Sequence, residues 1–200
     1  MGRKLYIFDF DDTLVSSNAM IKILDPQGEE VRAMTSEEYA LSDHPKQITP
    51  EEISKGFSED FSDFDTYPPD GETLPSFNKF MSALAEAPGD VHVLSARSAI
   101  KPMQQFLSDS GASGFQTMGV GGSNPSLKSD YVLSLMKDAE PPYTDVEVFE
   151  DSQANISAIE RAVQSKYPDV NFLSNLVTTH KESLLRKFVR AMLLKEYTRG

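Results

Sequence analysis

The chain has 200 residues, with 31 acidic against 19 basic side chains, a formal charge of −12 and a pI near 4.6. Its 39% apolar and 25% charged residues are an ordinary globular balance, which excludes wholesale disorder and fits one domain, or one domain with an insertion. Zero cysteines exclude a disulfide framework, a thiolate metal site and a cysteine nucleophile, and the acidity argues against a broad nucleic-acid surface.

Met1-Gly2-Arg3-Lys4 leads straight into a strand-like run, and no stretch reaches the roughly 18 apolar residues of a spanning helix. The chain is therefore expected to be soluble, untargeted and cytoplasmic, with no membrane partner. Leu5-Tyr6-Ile7-Phe8 is apolar on both faces, which predicts a central parallel strand covered on both sides. Met20–Leu24, the turn Asp25-Pro26-Gln27-Gly28 and Val31–Met34 predict a hairpin. Thr35-Ser36-Glu37-Glu38 predicts a helix start, and Thr49-Pro50-Glu51-Glu52 a stronger one, with proline at the first helical position. Phe57, Phe61, Phe64 and Tyr67 recur in an acidic setting. They read as packing of a small insert against the body in preference to a ligand cage.

Beyond residue 73 the rhythm becomes strand, helix, strand, helix. Leu74, Phe77, Phe80, Met81 and Leu84 follow helical spacing, with Pro75 suited to a first turn. Val91-His92-Val93-Leu94 predicts a strand, and Ile100, Met103, Phe106 and Leu107 a helix ending near Gly111. A weaker strand follows at 115–120, then a helix marked by Leu127, Tyr131, Leu133 and Leu135. Val146-Glu147-Val148-Phe149 is a further strand. Ser152 caps a helix that turns Ile156, Ile159 and Val163 inward, and 170–173 is the weakest strand. This alternation predicts an α/β fold, a doubly wound, Rossmann-like parallel sheet flanked by helices. The expected core comprises residues 1–15 and 74–200, with a small α+β insertion over 16–73.

The charge is unevenly spread. Residues 25–72 hold 14 acidic and 3 basic side chains, a net −11, whereas residues 180–200 hold 6 basic and 2 acidic, a net +4. In that last stretch Leu184, Leu185, Phe188, Val189 and Met192 form an apolar stripe among basic residues, which predicts a terminal helix docking on the body.

The sharpest chemical signal is Asp9-Phe10-Asp11-Asp12-Thr13, directly after the first strand. Open α/β sheets bind ligands beyond the carboxyl ends of their strands, and carboxylates crowded there repel unless a cation compensates. Ser95 follows 91–94 immediately, Glu150-Asp151 follows 146–149, and Lys128 lies near the start of a helix between them. In this order the residues resemble the haloacid dehalogenase (HAD) superfamily of phosphotransfer enzymes. The likeness covers residues 4–14 and about 90–156, and 16–73 falls where that superfamily often carries a cap.

The resemblance implies a phosphatase with Asp9 as nucleophile and Asp11 as general acid and then base. It also implies that Ser95 and Lys128 bind the phosphoryl group, and that Mg2+ is held by the Asp9 carboxylate, the Asp11 backbone carbonyl and Asp151. Asp11 favours phosphoryl transfer over haloalkanoate dehalogenation, which lacks the second aspartate and uses no magnesium. Transport ATPases have a different loop and far longer chains. Glu150 stands where many relatives have aspartate, and either binds through water or points away. Arg97 either reaches substrate phosphate or makes a structural salt bridge. The acidic insert favours a small phosphorylated metabolite or nucleotide as substrate over a nucleic-acid partner. A polynucleotide-end phosphatase and a non-catalytic HAD-fold binding protein are the alternatives.

Overall fold

The computed structural model describes residues 2–35, 39, 48–68 and 70–178. The chain opens with β1 (Arg3–Phe8) and a short β2 (Val15–Ser16), then the hairpin β3 (Ile21–Leu24) and β4 (Glu30–Met34). α1 (Pro50–Ser54), β5 (Ser58–Asp60), a 3-10 turn (Ser62–Asp65) and β6 (Glu72–Thr73) follow. Alternation then sets in, with α2 (Ser76–Glu86), β7 (Val91–Ser95), α3 (Ile100–Asp109) and β8 (Gln116–Gly119). It ends with α4 (Pro125–Lys137), β9 (Tyr143–Glu150), α5 (Gln153–Lys166) and β10 (Asn171–Leu176).

Five strands form one sheet in the order β10-β9-β1-β7-β8, and every pairing in it is parallel. β1 is central, and its side chains divide between two cores. Leu5 and Ile7 pack with Val132 and Met136 of α4 and with Ile159 and Val163 of α5. Tyr6 and Phe8 pack with Phe77 and Phe80 of α2 and with Met103, Phe106 and Leu107 of α3. Because alternate residues of a strand face opposite sides of a sheet, the unbroken apolar run is what helices on both faces require. Fully burying a side chain such as Phe80 contributes about 1.5–3 kcal/mol. The result is an α/β fold, a parallel sheet flanked by helices.

Local signals explain the helix boundaries. The Thr49 hydroxyl accepts from the Glu52 amide while the Glu52 carboxylate accepts from the Thr49 amide, a reciprocal cap with Pro50 just inside. Asn124 accepts from the Ser126 amide to start α4, with Pro125 in its first turn. Ser152 caps α5, as its sequence position predicts.

The chain leaves and re-enters the sheet region through the antiparallel pair β2–β6, where Val15 faces Thr73. Between them, β4, β3 and β5 form a separate antiparallel sheet in that order. Of the recurring aromatics, Tyr67 packs on Phe106 of α3 with ring centroids 5.7 Å apart, while Phe61 stays within the insert against Tyr39. Of the predicted helix start at 35–38 only Thr35 is among the described residues, and the predicted terminal helix over 180–200 lies outside them. Among the described residues, no helix is long and apolar enough to cross a membrane.

Candidate functional site

Parallel strands end on one side of their sheet, so the chemistry-bearing residues after β1, β7 and β9 converge without any long-range design of loops. Phe8 pairs with Phe149, which sets the next residues, Asp9 and Glu150, side by side, and the Asp9 amide donates to the Phe149 carbonyl at 2.9 Å. Phe8 also pairs with Val93, which carries Ser95 to the same rim. Asp9 is 5% and Ser95 1% exposed, so both are lodged in the fold and are no surface decoration. Within the turn after Asp9, Asp12 takes a φ of 54°, a left-handed conformation that aspartate tolerates better than most residues.

Lys128, in the first part of α4, reaches this rim from the side. Its Nζ donates to Asp9 Oδ1 and to Glu150 Oε2, both at 2.7 Å, and the side chain is only 4% exposed. Asn155 Nδ2 donates to the other Glu150 oxygen at 3.0 Å and holds that carboxylate in place. Glu150 therefore points inward and pairs with Lys128, a role that its position alone left open. The Asn155 spacing after Glu150 was the available signal: one turn into a capped helix, a side chain returns toward the helix start.

The electrostatics are unbalanced. Asp9, Glu150 and Asp151 can bring oxygens within 4.8 Å of one another, with Lys128 the cation paired among them. Burial and then the charge of Glu150 push the Asp9 carboxyl well above the ordinary carboxylate range, in spite of Lys128. Asp151 moves the same way. Its residue surface is open, but its carboxyl is partly desolvated and faces the charges of Asp9 and Glu150. For Lys128, burial alone would lower the pKa, and the charges of Asp9 and Glu150 reverse that and raise it. Three carboxylates around one ammonium are a hard-oxygen donor set with excess negative charge, which suits a cation such as magnesium.

Asp11 belongs to a neighbouring cluster. Arg97 Nε donates to Asp11 Oδ2 at 2.8 Å and Nη2 to Oδ1 at 2.6 Å, a two-pronged pair with the guanidinium side chain 2% exposed. The Ser95 hydroxyl accepts from the Arg97 amide at 3.1 Å, so Ser95 and Arg97 form one compact turn. Gly119 at the end of β8 presses on that turn: a Cβ there would lie 2.4 Å from the Arg97 carbonyl oxygen. The structure thus brings Asp9, Lys128 and Asp151 together with Glu150, places Ser95 on the same rim, and joins Asp11 to Arg97.

A separate concavity of about 440 Å3 lies at the opposite, amino-terminal ends of the strands, lined in part by Arg3, His92, Gln116 and Tyr143. Arg3 and Tyr143 are already paired there with Asp90. The carboxylates and Lys128 make the carboxyl rim the chemically equipped face.

No family model matches the chain, and no curated protein matches it. In a comparison with solved structures, it is similar to the Legionella pneumophila effector Ceg4, crystallised with an N-terminal TEV protease cleavage sequence. The identity is 14% and the TM-score 0.51, over 96% of this chain and 95% of that one. At this identity the likeness is one of fold, and it extends over nearly the whole length of both chains.

Proposed function

We propose that the protein is a magnesium-dependent phosphomonoester hydrolase of the HAD type, acting through an aspartyl-phosphate on a small phosphorylated metabolite or nucleotide. The observation that carries this reading is the buried arrangement of Asp9, Glu150 and Lys128 beside Asp151 at the strand ends. Supporting it, the strand order reverses at β1, as in a doubly wound Rossmann-like sheet, where ligands bind at the switch point. The antiparallel pair β2–β6 supports a core of residues 1–15 and 74–200 carrying residues 16–73 as a cap.

In the reaction, a carboxylate oxygen of Asp9 attacks phosphorus, and the bond from phosphorus to the substrate oxygen breaks as Asp11 gives that oxygen a proton. Water then attacks the same phosphorus and yields a proton to Asp11, while the bond to Asp9 breaks. Inorganic phosphate leaves, and both carboxyl groups return to their starting states. Ser95 and Lys128 hold the phosphoryl oxygens, and Lys128 offsets the charge of Asp9. Asp9, Asp151 and the Asp11 carbonyl would hold magnesium, which supplies charge neutralisation at the phosphoryl group. Glu150 and Asn155 keep Lys128 aimed at Asp9. The −11 of residues 25–72 disfavours long polyanions near the rim and supports a small ester.

The test is hydrolysis of a panel of phosphomonoesters with and without magnesium, by the wild type and by Asp9→Asn. Magnesium-dependent turnover is expected in the wild type, with a loss of at least about a thousandfold in the variant. Equal rates in the two proteins, or none in either, would overturn the reading; activity confined to polynucleotide ends would overturn the substrate class.

A further inference from the structure

We infer that Arg97 is a positioning residue that locks the 61–66 segment of the insert to Asp11, so that the seating of one and the orientation of the other are a single event. The inference rests on the reading of Asp11 as proton donor. Its basis is how the guanidinium divides its donors. One edge, Nε and Nη2, is engaged by both oxygens of Asp11, and Nη1 donates to the Phe64 carbonyl at 2.6 Å and the Thr66 carbonyl at 3.4 Å. The Phe10 and Phe64 rings flank the group, 5.1 and 5.2 Å from Cζ. One side of this cage belongs to the motif after β1 and the other to the insert.

The stem of Arg97 cannot follow either partner. Its amide donates to Ser95 Oγ and its carbonyl accepts from the Gly121 amide at 3.3 Å. Withdrawal of 61–66 therefore strips acceptors from a buried cation, and withdrawal of Asp11 strips the acceptors from its other edge, each a heavy penalty in a dry site. The neighbouring bond from Ser98 Oγ to Asp65 at 3.0 Å holds the same segment. A substrate that seats the insert thereby also orients the Asp11 carboxyl, which couples recognition to protonation of the leaving oxygen. Lysine cannot replace the fork, because it is a point charge without two opposed donor edges.

The experiment follows hydrogen exchange of amides 61–67 in the wild type, Asp11→Ala, Arg97→Lys and the double variant, with β1 and β9 protection as the control for an intact fold. Each single change is expected to raise exchange over 61–67 by at least about tenfold, and the double change to add nothing further. Wild-type exchange in Asp11→Ala, or additive effects, overturns the lock. Where Asp11→Ala loses the control protection, Asp11→Asn replaces it; with one acceptor oxygen left it is expected to loosen 61–67 by a smaller factor, and no change overturns the lock. In turnover, Arg97→Lys is expected to lose at least about tenfold more kcat/KM, which reports the steps through departure of the leaving group, on an alkyl phosphate than on nitrophenyl phosphate, whose leaving group needs no proton. Equal losses overturn the positioning role. If the wild type hydrolyses no phosphate ester, the reading of Asp11 as proton donor falls, and the exchange measurement alone decides whether Arg97 locks the insert.

Discussion

His92 shows how much a single enclosed side chain can report. It is 2% exposed, its ring Nδ1 lies 3.2 Å from the Tyr131 hydroxyl, and burial drives its pKa down to about 4 against the opposing charge of Asp90. The folded value lies below the unfolded 6.5, so the unfolded chain takes up the proton first as pH falls. The stability that neutral His92 protects is complete above about 6.5 and is lost between 6.5 and 4, a change on the order of 3 kcal/mol. His92→Gln is expected to flatten that limb of the stability curve in urea titrations across this range; an unchanged slope would contradict the assignment. In the sequence, His92 reads only as the polar position of a strand. Asp9, Asp11, Ser95 and Asp151 were legible as residues at or just beyond strand ends, whereas Lys128, inside a helix, stood out only through the order of motifs that resembles the HAD superfamily. The partners of Glu150 and Arg97 were not legible, since an ion pair between residues 86 positions apart depends on packing that no local pattern encodes.

At the scale of elements, the end of β8 governs the turn after β7. Val120 donates to the Ser95 carbonyl at 2.9 Å, and Gly119 leaves no room for a Cβ against the Arg97 backbone. Gly119→Ala is expected to cost about 1–3 kcal/mol, because the obstacle is a backbone oxygen that cannot rotate away. Gly89→Ala, where nothing lies within 4 Å but φ is +93°, is expected to cost about 1 kcal/mol through backbone strain alone. Comparing urea midpoints, and 61–67 exchange in both variants, checks this: only Gly119→Ala should disturb the insert. Helices and strands were readable from periodicity and caps, as Leu5–Phe8, Thr49–Glu52 and Ser152 show. The 115–120 strand was faint because its residues are only partly buried, which weakens the alternation that marks a strand.

For the molecule as a whole, the net −12 has two different origins. Residues 25–72 carry most of it, and their described acidic side chains are exposed or only partly buried, so that this charge acts at a distance and is screened by salt. The remainder that matters for chemistry is concentrated in the group Asp9, Glu150 and Asp151 around Lys128. A cation bound there stabilises the fold by mass action, about 2.7 kcal/mol at a hundredfold excess over Kd, or roughly 5–10 °C for a chain of this size. Thermal unfolding with EDTA and then with magnesium is expected to show that rise, and Asp151→Asn to reduce it. An identical Tm in both conditions would argue against a cation at this rim.

Local information by itself determined the α/β alternation, the apolar central strand, the acidic insert and the carboxylates that follow two strands, because each depends on short-range periodicity, composition or the residue that follows a strand. Ser95 and Lys128 stood out as candidates only through the order of motifs that resembles the HAD superfamily. Tertiary structure alone decided that Glu150 faces Lys128, that Asp151 stays at the open edge, and that Arg97 joins Asp11 to the backbone of residues 64 and 66. The reason is physical. A buried charge takes whichever partners the packing brings within hydrogen-bonding distance, and those partners are set by strand register and by the approach of an insert, not by neighbours along the chain.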